Sequence, residues 1–180
     1  MSCCCRPLAE RLHKRTDERA MLERLSVRHD QVAIREILSW RDNDELCLDP
    51  PYQRGDVWGM KRRVNLIRSL IIGVPIPSIV VNDRFAAKWN KANWKNAVID
   101  GKQRCTTILM FFDNQFTIPG EWFGKEWTNL YFENFNPVER RVFKNKSIGM
   151  CVCTLPNLKK EQEVFELINF GGVPQGESDE

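Results

Sequence analysis

Histidine is nearly missing from this chain of 180 residues: His13 and His29 are the only two. That excludes a Ser-His-Asp relay built on a later histidine, and it leaves the cysteines with no imidazole nearby in sequence to complete a zinc site. Long apolar runs are missing as well. The longest, Leu70 to Val81, is cut by Gly73, Pro75 and Pro77, so nothing approaches the roughly 20 apolar residues of a membrane-spanning helix. The opening Met1-Ser2-Cys3-Cys4-Cys5 runs into charge rather than an apolar stretch, unlike a secretory leader; a cytoplasmic protein with no membrane partner is expected. No Gly-rich loop ending in Lys-Ser/Thr occurs, which excludes P-loop nucleotide binding. Internal repeats and low-complexity linkers are absent. Charge of one sign is scarce, 27 Lys and Arg against 24 Asp and Glu, a net of +3. A balance that mild does not by itself signal nucleic acid.

Seven cysteines are present, an odd number that does not describe a disulfide scaffold in an intracellular chain of this size. Cys3, Cys4 and Cys5 suit lipidation or a soft metal, although an exposed reduced tail is the plainer reading. Cys151 and Cys153 flank Val152; on a strand both thiols share one face and act as small hydrophobes. They are expected to be reduced and metal-free.

The chain does hold ample core material: 42% hydrophobic residues, with six Trp and ten Phe. The spacing of Leu8, Leu12, Met21, Leu22 and Leu25 predicts a charged amphipathic helix, suited to self-association or to a solvated extension. A second helix is expected over Val32 to Trp40, a short strand over Leu46 to Leu48, a helix over Lys61 to Ile72 ended by Gly73, and a strand over Pro77 to Val81. A Trp- and Lys-rich excursion, 83–96, leads to a strand at Ala97-Val98-Ile99 and a helix from Cys105 to Phe112. A strand near Ser147 to Leu155 and a helix from Lys160 to Ile168 complete the order. The paired Pro50-Pro51 is expected to hold Tyr52-Gln53-Arg54 extended at a strand exit. The fold class is α+β in a single compact domain over 31–175, after a helical extension over 1–30 and before an acidic tail over 176–180.

Asp100-Gly101-Lys102-Gln103-Arg104 lies where a strand ends and a helix begins. A helix start offers free N–H groups and partial positive charge to an anion. Gly101 allows close backbone approach, Lys102 and Arg104 add cationic donors, and Asp100 suits a divalent metal or a positioned water. The alternative, Asp100 capping the helix while Lys102 and Arg104 are solvated, weighs equally. Gln53-Arg54 forms a second polar pair, facing the same ligand or simply pairing Arg54 with Asp49 or Asp56. Two basic runs, Lys61, Arg62, Arg63 and Arg68, and Arg140, Arg141, Lys144 and Lys146, suit DNA phosphates or a solvated helix face.

Four segments are recognisable. Leu48 to Trp58 (LDPPYQRGDVW) with Leu66 to Pro77 (LIRSLIIGVPIP), then Val98 to Ile108 (VIDGKQRCTTI), then Phe165 to Pro174 (FELINFGGVP) closely resemble the DUF262 family, the N-terminal part of GmrSD-type modification-dependent restriction enzymes. Lys102 stands where that family has Gln, and Phe170 where a Thr is usual. The resemblance spans roughly Val32 to Gln175. It implies a ParB/sulfiredoxin-like domain with a small mixed sheet flanked by helices, binding and hydrolysing a nucleoside triphosphate with Mg2+. Carried over by motif, Asp100, Gln103 and Arg104 are the catalytic set and Asp100 the metal ligand. Gln53, Arg54, Gly101, Lys102, Arg104, Asn169 and Gly171 are the nucleotide-binding set. The HNH nuclease half of larger relatives is not in this sequence, so DNA cleavage would need a separate nuclease subunit. The expected role is an NTP-dependent sensor in DNA restriction or phage defence, in a bacterial or phage-infected cell. The competing reading is a non-catalytic DNA- or protein-binding module, with Lys61, Arg62, Arg68, Arg140 and Arg141 on the DNA.

Overall fold

Strand β1 (Val27–Ala33) opens the fold seen in a computed structural model, which describes residues 24–53, 55–89, 94–125 and 128–170. The first amphipathic helix, Arg54, Gly171 and the acidic tail lie outside the described residues, as do Cys3 to Cys5. Strand β1 takes in residues 27–30, which composition puts with the extension, and the helix expected from Val32 begins only at Ile34. The cause is the local pattern: Arg28, Asp30 and polar neighbours suit an edge strand with one side in water. Helix α1 (Ile34–Asp42) buries Ile34, Ile37 and Leu38 at helical spacing. Next come β2 (Leu46–Cys47) and α2 (Met60–Ile72), which stops at Gly73. Gly73 sits at φ +90°, with its N–H on the Ser69 carbonyl, a left-handed cap that a side chain would strain.

Strands β3 (Ile79–Asp83) and β4 (Asn96–Asp100) form a hairpin around the Trp- and Lys-rich excursion. Helix α3 (Lys102–Phe112) follows β4 after the single residue Gly101, starting three residues earlier than the apolar run suggests. A two-stranded sheet of β5 (Ile118–Pro119) and β6 (Asn129–Leu130), then α4 (Pro137–Lys144), β7 (Ser147–Cys153) and α5 (Leu158–Phe170), complete the described chain. The five-stranded sheet has the order β1-β7-β3-β4-β2 and is mixed: β1–β7 and β3–β4 are antiparallel, β7–β3 and β4–β2 parallel. The architecture is α+β, one small domain, as the sequence implies.

Alternation on the strands divides the core. Val81, Val98, Ile148 and Met150 face the larger cluster, with Ile37, Ile67 and Ile108 from α1, α2 and α3. Phe111 stands at its centre, its ring 5.5–5.8 Å from Phe116, Phe132, Phe135 and Phe143. The opposite face buries Ile99, Cys153 and Leu155 against Val164 of α5. No helix among the described residues is long and apolar enough to cross a membrane.

Cys151 is half-buried, with its Sγ 3.3 Å from His29 Nδ1 across the β1–β7 pair. The fold thus brings together a thiol and an imidazole that lie far apart in sequence. Among the described residues no three His, Cys, Asp or Glu side chains gather to hold a metal. Burial pushes the Cys105 thiol up to about 12, and raises Cys47 and Cys153 as well. The unfolded Cys105 thiol ionises near pH 9.0, so between that pH and about 12 the folded state holds the extra proton. Stability is therefore lost as pH rises through this window. At pH 8, iodoacetamide should label Cys151 in the folded protein and spare Cys47, Cys105 and Cys153, as peptide mass mapping would read. Uniform labelling of the four would mean that the sheet is not closed as described.

Candidate functional site

A cleft of about 390 Å³ lies where β4 passes into α3, within the range of small-ligand sites. Residues from three separate stretches line it: Gln53, Gly55, Val57, Trp58 and Arg62; Asp100 to Arg104; and Phe165 with Asn169.

Gly101 is the hinge of the site. It sits at φ +94°, and a Cβ there would come within 3.0 Å of both Ile79 Cγ1 and Arg104 Nη2. Only glycine supplies both that backbone angle and that clearance. No side chain caps α3, so its first-turn N–H groups begin the helix without a capping oxygen. Asp100, the last residue of β4, does not cap it; its Oδ2 instead accepts from Arg104 Nη2 at 2.8 Å. Arg104 also donates to the Ser78 carbonyl at 3.3 Å, and its enclosed Nε has no partner.

Lys102 and Gln103 act differently from what their chemistry alone suggests. Lys102 is not a mobile surface cation: its side chain is 8% exposed and ion-paired with Asp49. Gln103 is turned onto the neighbouring loop, where its Oε1 accepts from the backbone N–H groups of Val57 and Trp58, each at 3.3 Å, and its Nε2 donates to the Gly55 carbonyl at 3.2 Å. Gln103 thus registers the 55–58 loop against α3. Gln53 makes the matching brace, its Nε2 donating to the carbonyls of Val98 at 3.1 Å and Ile99 at 2.6 Å. The segment before it is not extended, contrary to the expectation from the paired prolines. The Gln53 N–H closes a turn onto the Pro50 carbonyl at 2.9 Å, since Pro51 occupies the turn position that its fixed φ favours.

Helix α5 supplies the other wall and is held by a buried ionic network that the sequence does not announce. Glu161 is fully buried and takes Arg84 Nε at 2.9 Å, Arg84 Nη2 at 2.7 Å, Asn82 Nδ2 at 2.8 Å and the Tyr52 hydroxyl at 3.2 Å. Arg84 lies over the Trp89 ring at 4.4 Å. Burial, reinforced by the Glu161 carboxylate, raises the Tyr52 phenol above its ordinary range, so the hydroxyl remains a donor. Tyr52 also packs its ring 5.3 Å from that of Phe165, which joins the network to the cleft wall. Asn169 reaches the cleft too, with its Nδ2 donating back to the Phe165 carbonyl at 2.8 Å.

The five residues read as DNA contacts do not make one basic track. Lys61 is exposed at the start of α2, Arg62 turns into the cleft, and Arg63 beside them is buried on Asp56, Thr107 and the Trp58 carbonyl. Arg68 lies over Trp122, its guanidinium carbon 5.7 Å from the ring centroid. Arg140 on α4 is bound to the carbonyls of Phe135 and Glu133 at 2.8 and 2.5 Å. Arg141 is exposed, between Val138 and Val142 on one side and a shallow groove lined by Arg35, Arg140 and Lys144 on the other.

Residues 34–180 match the family described as GmrSD restriction endonuclease, N-terminal domain. Neither a curated protein nor a solved structure matches the chain.

Proposed function

The chain belongs to the family of GmrSD restriction endonuclease N-terminal domains, and we propose that its cleft binds a nucleoside triphosphate in a restriction or phage-defence setting. One observation supports this above the others. Three separated motifs meet around one cleft, with an uncapped helix start and cations on one part of its lining and Trp58, Val57 and Phe165 on another. Phosphate suits the first part, and an aromatic lining suits the flat face of a base.

Among the described residues Asp100 is the single carboxylate lining the cleft. That donor set does not make a protein-built metal centre, but it fits a magnesium ion that arrives with phosphates and takes one carboxylate from the protein. When bound, the ion would neutralise phosphate charge. The chain's own part is to hold the phosphates on the α3 N–H groups and Arg104, with Gln103 fixing the loop that closes the site. Hydrolysis is the further step of the proposal, and it depends on Asp100. DNA cleavage would fall to a nuclease domain, on the same polypeptide or on another.

The test is equilibrium binding of the four common nucleoside triphosphates, with and without Mg2+. At least one should bind, and Arg104→Lys should weaken it by about 1–3 kcal/mol, the range for a charged hydrogen bond, because an ammonium cannot reproduce the guanidinium fork. Failure of every nucleotide to bind the parent protein would leave the cleft without this role.

A further inference from the structure

The cations lining the cleft are not equivalent. Lys102 carries the charge of Asp49 against its own, and Arg104 carries that of Asp100. Each is enclosed, and each pair sums to no net charge. Arg62 is the exception: it is exposed, lines the same cleft, and forms no ion pair among the described residues. Its guanidinium carbon lies 4.5 Å from the centroid of the Trp58 ring.

That stack has a chemical consequence. An indole ring offers no conventional hydrogen-bond acceptor, so the cation–π contact restrains Arg62 while leaving guanidinium donors for a ligand. The main chain that carries the ring is itself held, because the Trp58 backbone N–H donates to Gln103 Oε1 in the first turn of α3. The restraint runs from the helix that offers its N–H groups to the cation that, among the described residues lining the cleft, carries no ion-paired carboxylate. Side-chain ordering that otherwise opposes binding is partly complete before a ligand arrives.

We propose that Arg62, preset on Trp58, is the principal phosphate-gripping group of the cleft, and that Trp58 is its positioning residue. The inference rests on the nucleotide reading above and adds to it the group that recognises the polyphosphate. A forked donor of this kind suits two oxygens of one phosphate, or oxygens of two adjacent phosphates.

Arg68 provides the control that separates this from a general loss of charge. It is on the same helix, carries the same charge and also lies over a tryptophan, Trp122, but it does not line the cleft. Binding of sodium tripolyphosphate and of the nucleoside triphosphates should be measured by calorimetry on the parent protein and on Arg62→Ala, Arg62→Lys, Trp58→Phe, Trp58→Ala and Arg68→Ala. Arg62→Ala should weaken both probes by at least about tenfold and flatten their salt dependence, while Arg68→Ala should change either by less than about twofold. Arg62→Lys should fall between, Trp58→Phe should retain most of the affinity, and Trp58→Ala should move in the same direction as Arg62→Ala. Equal losses in Arg62→Ala and Arg68→Ala would overturn the proposal, as would an Arg62→Ala protein that binds like the parent. A loss for nucleotides but not for tripolyphosphate would also overturn it, by assigning Arg62 to the base. A parent that binds neither probe would instead remove the nucleotide reading itself.

Discussion

Glu161→Ala is expected to cost about 3–5 kcal/mol of folding stability, the range for removing one partner of a buried ion pair. The carboxylate is fully buried and accepts four hydrogen bonds, two of them from Arg84. Deleting it leaves the Arg84 charge enclosed, with Trp89 over its face but no anion within reach. The loss should extend to the cleft. Glu161 fixes α5, which carries Phe165 and Asn169, and through the Tyr52 hydroxyl it fixes the turn that presents Gln53. Urea unfolding of Glu161→Ala, Glu161→Gln and a Glu161→Met/Arg84→Met double variant separates the contributions. The Gln variant keeps the shape and should lose less. The double variant leaves no orphaned charge and should recover much of the stability, since apolar replacement of a whole buried pair is often near neutral. A Glu161→Ala protein within about 1 kcal/mol of the parent would mean that water reaches Arg84 and that the pair is not a structural anchor.

This network also marks where sequence reading stops. Glu161 lies in a charged segment, Lys159-Lys160-Glu161-Gln162-Glu163, that reads as a solvated helix face, and its partner Arg84 is 77 positions away. Periodicity shows which residues share a face, but it does not show which charge on that face meets a distant strand. Lys102 was unreadable for the same reason, because Asp49 reaches it across 53 positions. The junction at Gly101 was legible because its signals are local: an apolar strand, a glycine, then cationic residues opening an apolar helix. The stop of α2 at Gly73 was legible on the same terms. Strand β1 was not, since Arg28, His29, Asp30 and Gln31 hide the alternation of an edge strand. Within the cleft, the short segments Gln53 and Asp100 to Arg104 stand out by composition and by family resemblance. Trp58 closes the first family motif and Arg62 stands in a basic run read for DNA, but their pairing was not legible, because it depends on a loop-to-helix turn that only the folded chain defines.

Asp100→Asn should separate binding from chemistry, with opposite effects on the two. In the parent, the Asp100 carboxylate accepts from Arg104 Nη2 at 2.8 Å and, among the described residues, is the only negative group lining the cleft. Removing its charge removes repulsion toward phosphate and releases the Arg104 charge from neutralisation. At an effective dielectric of about 20, a unit charge 4 Å away is worth about 4 kcal/mol, so even a heavily screened fraction is measurable. Magnesium-free nucleotide binding should therefore tighten, by about tenfold for a gain of 1.4 kcal/mol. Magnesium-dependent hydrolysis should move the other way. Loss of an outer partner of a metal site commonly costs roughly 10–100-fold, and loss of the one carboxylate able to touch the metal should cost at least the upper end of that range. Folding should be affected less than in Glu161→Ala, because Asp100 is one-third exposed and Asn keeps an oxygen that accepts from Arg104. Binding with and without Mg2+, phosphate release and thermal unfolding on one preparation give the three readings together. Binding that weakens without metal would show that Asp100 holds Arg104 in place for phosphate rather than competing with it. Unchanged hydrolysis in a folded Asp100→Asn protein would remove Asp100 from the chemistry and leave the cleft a binding site alone.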